Sequence, residues 1–226
     1  MLNKKLLSII LIITNIFYGS IANYAKDYST SLSLRNGSVV DLVPVTEDPK
    51  ALKSMKKVMQ DPDTASTMRD LKPWPDNIVA GTYAYYVASW KTFEDLIRIG
   101  EKPESLALGF LVYNKQKEIV GLGGIQRSTR DGDFGEIFFC LLPPYRKQGI
   151  GTALATYLID FYQKHYKTKT LEAIVIPTNK PSIGLLTKMG FKPLLDKAGK
   201  PVYKIFPAYA HVTYQVYRYM PSGPGN

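Results

Sequence analysis

Residues 136–158 read EIFFCLLPPYRKQGIGTALATYL, and the architecture can be worked outward from them. The first part is apolar and β-type. Pro143-Pro144 then closes the strand, because proline removes a ladder donor. Gly149 and Gly151 open a helix that carries Leu154, Leu158, Ile159 and Tyr162 at helical spacing. A strand running into a glycine-bearing helix start makes an anion site. The first-turn N–H groups lack intrahelical partners, and the helix dipole favours negative charge there. The two glycines remove side chains where a pyrophosphate must approach the backbone. Arg146 and Lys147 add positive charge beside it. No Gly-Lys-Ser/Thr follows at the spacing of a Walker loop. The three glycines and later ribose-binding acid of a Rossmann fingerprint are also missing. The plain alternative is a tight βα turn with glycines for packing alone.

Around this centre the chain alternates strand and helix patterns. Residues 31–46 hold two short apolar runs about Asn36-Gly37, a hairpin signal. Asp48-Pro49 opens a helix with Leu52, Met55 and Met59 on one face. The segment DPDTASTMRDLKPWPDN reads as a loop, and residues 84–99 as a second helix bearing Tyr86, Trp90, Phe93 and Ile97. LALGFLVYN and EIVGLGGIQ read as paired strands, and FGEIFFCLL as a third. LEAIVIP is a further strand, Pro181 starts a short helix that Gly190 stops, and HVTYQVYRYM is a terminal strand. This order predicts an α/β (α+β) sandwich on a mostly antiparallel sheet with a βαβ unit inside it.

Composition narrows the chemistry. A chain of 226 residues and 25.4 kDa is one domain, or one domain with a terminal appendage. With 45% hydrophobic and 21% charged residues, wholesale disorder is excluded. Cys140 is the single cysteine, so no intrachain disulfide forms, and His165 and His211 cannot make up a zinc site; no metal is expected. The net charge of +10 favours anionic ligands: a nucleotide cofactor, nucleic acid or an acidic membrane surface.

The first 22 residues pair Lys4 and Lys5 with the apolar run Leu6 to Ala22, ending in small residues at Ser20 and Ala22. That is the pattern of a signal peptide, with an uncleaved membrane anchor or a first hydrophobic helix as alternatives. The expected organisation is a leader over 1–22, one domain over 23–220 and a frayed tail over 221–226. The expected location is exported or membrane-anchored, with a cytoplasm-facing domain still open.

Two blocks carry a family resemblance. Arg146-x-x-Gly149-x-Gly151 resembles the acetyl-CoA pyrophosphate motif of the GNAT N-acetyltransferases. Asn179-x-x-Ser182, then Leu185, Leu186, Lys188, Gly190 and Phe191, looks like the family's later strand–helix segment at the expected distance. The branch it most resembles is the ribosomal-protein alanine acetyltransferases of RimJ/RimL type, through Glu136-Ile137, the Trp of LKPWPDN, and His211, Val212 and Tyr214. The likeness is tight from Glu136 to Phe191 and loose before Leu106. It implies the GNAT fold: a mixed, mostly antiparallel sheet of six to seven strands flanked by about four helices. It also implies direct acetyl transfer from acetyl-CoA to a primary amine on a protein N-terminus, a lysine or a small molecule.

Transfer needs a base for the amine, a donor for the oxyanion and a proton for the departing thiolate. Strand alternation puts Glu136 on one face with Phe138, Cys140 and Leu142. It is an acid in an apolar row, where burial can raise a carboxylate pKa. Glu136 is the expected base, and an ion-paired structural carboxylate is its bland reading. The resemblance assigns Leu141 and Leu142 to the pantetheine arm through their backbones. Arg146, Lys147, Gln148, Gly149, Ile150, Gly151 and Thr152 go to the pyrophosphate, and Asn179 bridges cofactor and helix. Many family members carry a proton-donating Tyr where this chain has Leu186, so Ser182 is the expected donor, directly or through water. As bland readings, Asn179 is a helix cap and Ser182 an N-cap hydroxyl. Trp74 is expected in the acceptor pocket, or in ordinary core. Cys140 reads as a buried strand residue.

Two rivals stay open. The leader sets an exported enzyme apart from cytosolic acetyl-CoA, which allows an exported, non-catalytic binding module on the same fold. The clusters Tyr83, Tyr85, Tyr86 and Tyr214, Tyr217, Tyr219 beside basic residues allow a nucleic-acid binder, although core and sheet periodicity also explains them.

Overall fold

The structure, a computed structural model, describes residues 25–68, 71–127, 134–206 and 211–220. The leader over 1–22 and the tail over 221–226 lie outside the described residues. Among the described residues nine strands form one sheet: β1 (Thr30–Ser33), β2 (Val39–Pro44), β3 (Leu108–Tyr113), β4 (Ile119–Arg127), β5 (Gly135–Leu141), β6 (Leu171–Val175), β7 (Phe191–Pro193), β8 (Tyr203–Ile205) and β9 (Thr213–Tyr219). The order is β1-β2-β3-β4-β5-β6-β9-β7, with β8 also on β9. Five α-helices are described: α1 (Pro49–Met59), α2 (Pro62–Ala65), α3 (Asp76–Arg98), α4 (Ile150–His165) and α5 (Lys180–Lys188).

The sheet is therefore larger than the six to seven strands expected, and the helices exceed four. The additions are short. β7 and β8 have three residues each, too few to show period-2 alternation, and both exist by pairing with β9. α2 is one turn inside the expected loop, capped by Asp61, whose carboxylate accepts from the Thr64 N–H at 2.8 Å. α3 starts at Asp76, not residue 84, with an acid in its first turn where the dipole favours one.

The long elements follow from their sequence. Asp48 caps α1 through the Lys50 N–H at 2.8 Å, Pro49 occupies the first turn, and Met55, Val58 and Met59 are buried. α3 buries Val79, Tyr86, Trp90 and Phe93, and the Trp90 indole donates to the Gly109 carbonyl at 3.0 Å. α4 buries Leu154, Leu158, Phe161 and Tyr162. The core has two parts. One joins α4 to the sheet around Phe110, Leu154 and Phe161. The other joins α1 and α3 to it around Met55, Leu111 and Leu122. Among the described residues no helix is long and apolar enough to cross a membrane, and no cluster of metal-ligating side chains is present.

The connection β5–α4–β6 positions the site. It links the sheet's parallel pair, and that pair is registered only at Gly135↔Leu171 and Glu136↔Glu172. Beyond these residues the two strands part, while β5 stays paired with β4 all the way to Leu141. A crevice at the carboxyl ends of parallel strands, with helix starts at its mouth, is where α/β sheets take ligands.

Candidate active site

The parted strands open a cleft of about 170 Å³. It brings together residues far apart in the chain. Glu136 comes from β5, Asn179 and Ser182 from the start of α5, and Trp74 from the loop before α3. Leu186 lines it where the family's usual tyrosine would stand, and Tyr214 enters from β9.

Glu136 is 2% exposed. The Gln126 side chain on β4 donates to its carboxylate, in the same cross-strand register that pairs Gln126 with Glu136. The neighbouring β6 acid, Glu172, is fully buried and takes two bonds from Arg218, Nη2 at 2.7 Å and Nε at 3.1 Å. Glu172 is thus a carboxylate neutralised by an ion pair, and its Arg218 partner is also its register neighbour on β9.

The backbone of β5 alternates. The Leu142 N–H bonds Val120 at 2.9 Å and its carbonyl accepts from Tyr145 at 3.0 Å, so both groups are committed within the fold. Alternation then turns the N–H of Leu141 away from β4, toward the opened side. The Leu141 carbonyl is held by Arg146 Nε at 2.9 Å.

The helix start has the geometry of an anion cradle. Gly149 is the N-cap of α4 with φ +85, and no side chain caps the helix. The N–H groups of Ile150, Gly151 and Thr152 are left for a ligand. A Cβ on Gly149 would meet nothing within 4 Å, so glycine is required here by backbone conformation, and the space above it is open. Gly151 differs from the expectation: its missing side chain admits Leu185, whose Cδ2 would lie 3.2 Å from a Cβ, and so lets α4 close on α5. The Ile150 side chain is buried, which leaves its backbone for recognition. Lys147 is exposed with φ 60, and Gln148 donates to the Pro144 carbonyl at 2.8 Å. Arg146 turns inward: besides Leu141, its Nη2 reaches Thr64 Oγ1 on α2 at 3.3 Å. Gly149 and Thr152 line a second groove of about 530 Å³, with Arg35 beyond β1 and Lys188 at the end of α5 as its basic residues.

Asn179 is the N-cap of α5 and accepts from the Ser182 N–H at 3.3 Å. Ser182 is therefore the capped residue, not the cap, and it is half-buried in the cleft lining. Cys140 lines the cleft half-buried, and desolvation pushes its thiol up to about 12, which favours the protonated form. Trp74 is fixed by its backbone, its N–H on the Met59 carbonyl at 3.1 Å and its carbonyl taking Gln60 Nε2 at 3.0 Å.

Most of the lining was not foreseen as site residues, Gln126, Tyr214 and Met68 among it. Gln126 and Tyr214 enter by strand register, which no local pattern displays. Met68 enters from the loop after α2.

A cleft between parted parallel strands with a buried acid within, and an uncapped helix start that lines a second groove, define the class of site. The comparisons give the class a family. The model of the acetyltransferase (GNAT) family matches residues 69–191, and the chain belongs to that family. Solved structures share the fold at low identity. An acetyltransferase (GNAT family) from Bacillus anthracis is 14% identical with TM-score 0.57, covering 84% of this chain and 97% of its own. The Mycobacterium smegmatis RimJ, in complex with CoA-disulfide, is 18% identical with TM-score 0.54, over 84% and 85% of the two chains. The Vibrio cholerae spermidine N-acetyltransferase, in complex with CoA and spermine, is 13% identical with TM-score 0.53, over 78% and 94%. No curated protein matches the chain.

Proposed function

We propose that the protein transfers an acetyl group from acetyl-CoA directly to a primary amine, with Glu136 as base. The observation that carries this reading is the buried Glu136 in the cleft where β5 and β6 part, on the strand whose chain leads directly into the uncapped start of α4.

The residues present fit acetyl-CoA. The α4 amides of Ile150, Gly151 and Thr152 suit its pyrophosphate, and the open space at Gly149 admits it. The groove with Arg35 and Lys188 continues from Gly149 and Thr152, and suits the phosphorylated nucleotide end. The cleft suits the thioester arm. Bound there, acetyl-CoA supplies a reactive thioester.

The chain then has three tasks. Glu136, oriented by Gln126, takes the proton that the amine must lose, directly or through a water. The Leu141 N–H points at the side where the acyl oxygen gains charge. Arg146 holds the Leu141 carbonyl and so fixes that peptide's direction. The C–N bond forms at the thioester carbonyl, the C–S bond then breaks, and the proton taken up by Glu136 reaches the departing sulfur by way of Ser182, which gives one proton and regains another, directly or through water. Tyr214 lines the same cleft and is the second group able to do so. Neither step needs a covalent enzyme intermediate. The matched Glu136-Ile137 and Ser182 favour the RimJ/RimL-like branch.

The test is acetyl-CoA-dependent thiol release with an amine panel. Turnover in the wild type, lost in Glu136→Gln with acetyl-CoA binding intact, supports the reading. Turnover that survives in Glu136→Gln removes Glu136 as the base.

A further inference from the structure

The acceptor side of the cleft differs in character from the side that suits acetyl-CoA. Its walls are Met59, Met68, Trp74, Tyr86 and Phe138, and Glu136 is the one carboxylate among the described lining residues. The Tyr86 and Phe138 rings stack at 6.2 Å and 7°. The floor is built to admit them: a Cβ on Gly109 would lie 2.6 Å from the Tyr86 ring.

We infer that the acceptor is a primary amine borne on a neutral apolar or aromatic body, not a polyamine or a lysine in a basic peptide. This deepens the transferase reading and rests on it.

The reasons are physical. An amine arrives mostly as an ammonium, and the Glu136 carboxylate can receive one positive charge. A polyamine brings further charges into a wall of thioether and aromatic groups, where no second carboxylate is described to pair with them. The net charge of +10 repels a polycation before it arrives. An apolar body gains by leaving water against these same walls. Methionine at two of the five wall positions lets the surface adapt to the shape of that body.

The experiment uses the full chain with saturating acetyl-CoA and follows thiol release. The amines are 2-phenylethylamine, spermidine and an Nα-blocked Lys-Arg dipeptide amide. The phenylethylamine kcat/KM is expected to exceed the other two by at least about tenfold, the scale on which pockets discriminate by apolar contact. Met68→Glu places a second acid in the half-buried wall. It should lower the phenylethylamine value and raise the spermidine value. Equal or faster turnover of spermidine or lysine, or an unchanged preference in Met68→Glu, overturns the inference. If acetyl-CoA does not bind, the transferase reading falls by itself. Titration of 2-phenylethylamine against intrinsic fluorescence then still decides the acceptor wall. A saturable change that Trp74→Phe removes supports it, and no change overturns it.

Discussion

The two sides of the cleft are made in different ways. The side that suits acetyl-CoA is backbone: uncapped α4 amides, a left-handed Gly149 and the outward N–H of Leu141. The acceptor side is side chain: rings and thioethers from α1, the loop before α3, α3 itself and β5. Backbone recognition needs particular residue types at particular spacings, so it leaves a motif. A wall assembled from four remote segments leaves none. A difference in construction predicts a difference in response to mutation, and four changes probe it.

The largest effect should fall between the two sides, at the base. Glu136→Gln keeps the volume and the contact with Gln126 while removing the charge. It should lower kcat by about 10²–10⁴, the range for losing a positioned acid–base group, and leave acetyl-CoA affinity unchanged by calorimetry. A comparable loss of affinity would make Glu136 a structural carboxylate like Glu172.

Gly149→Val attacks the backbone side. The position has room for a side chain but a φ of +85 that a branched residue resists. The variant should fold, lose about 1–2 kcal/mol of stability from the left-handed backbone, and bind acetyl-CoA far more weakly. Calorimetry with and without the cofactor separates the two effects.

Arg146→Met tests how the sides are joined. Arg146 ties the Leu141 carbonyl of the β5 end to Thr64 of α2. Losing hydrogen bonds from a charged donor costs about 1.5–3 kcal/mol, read by chemical denaturation. Because α2 leads into Met68 on the acceptor wall, the amine KM should rise along with the acetyl-CoA KM. A change in the acetyl-CoA KM alone would make Arg146 a simple phosphate ligand.

The smallest effect lies away from the cleft. His165, at the end of α4, packs against Phe161, Phe93 and Tyr28, with ring centroids at 4.5, 5.8 and 5.7 Å. Burial, then the charges of Lys164 and Lys102, pulls its pKa from 6.5 down to about 4. The unfolded chain therefore binds the proton first as pH falls. Stability from the neutral ring is complete above about pH 6.5 and is lost progressively down to about pH 4. Tm measured across that window should fall less in His165→Phe than in the wild type.

These contrasts also explain how much could be read from sequence. The strand–helix connection around residues 136–158 was legible, because an apolar run, two prolines and two glycines each act locally. Glu136 stood out by alternation within a single strand. Gln126 beside it did not, since which residue of β4 faces Glu136 is a matter of register between strands. Tyr214 reached the cleft the same way. β7 and β8 escaped because three residues carry no period, and α2 because one capped turn inside a proline-rich stretch looks like a loop. Ser182 was read as a possible cap, and the structure gives that task to Asn179, three residues earlier. Arg146 was expected to supply charge to a phosphate; its turn toward Leu141 and Thr64 depends on α2, which lies 82 residues away in the chain.

The central claim is that the open start of α4 and the parted strands form one acetyl-CoA site. Calorimetric titration of acetyl-CoA into the folded full chain tests it most directly. Micromolar binding of one equivalent, abolished in Gly149→Val, is the predicted result. No heat at millimolar acetyl-CoA from a folded sample would contradict it.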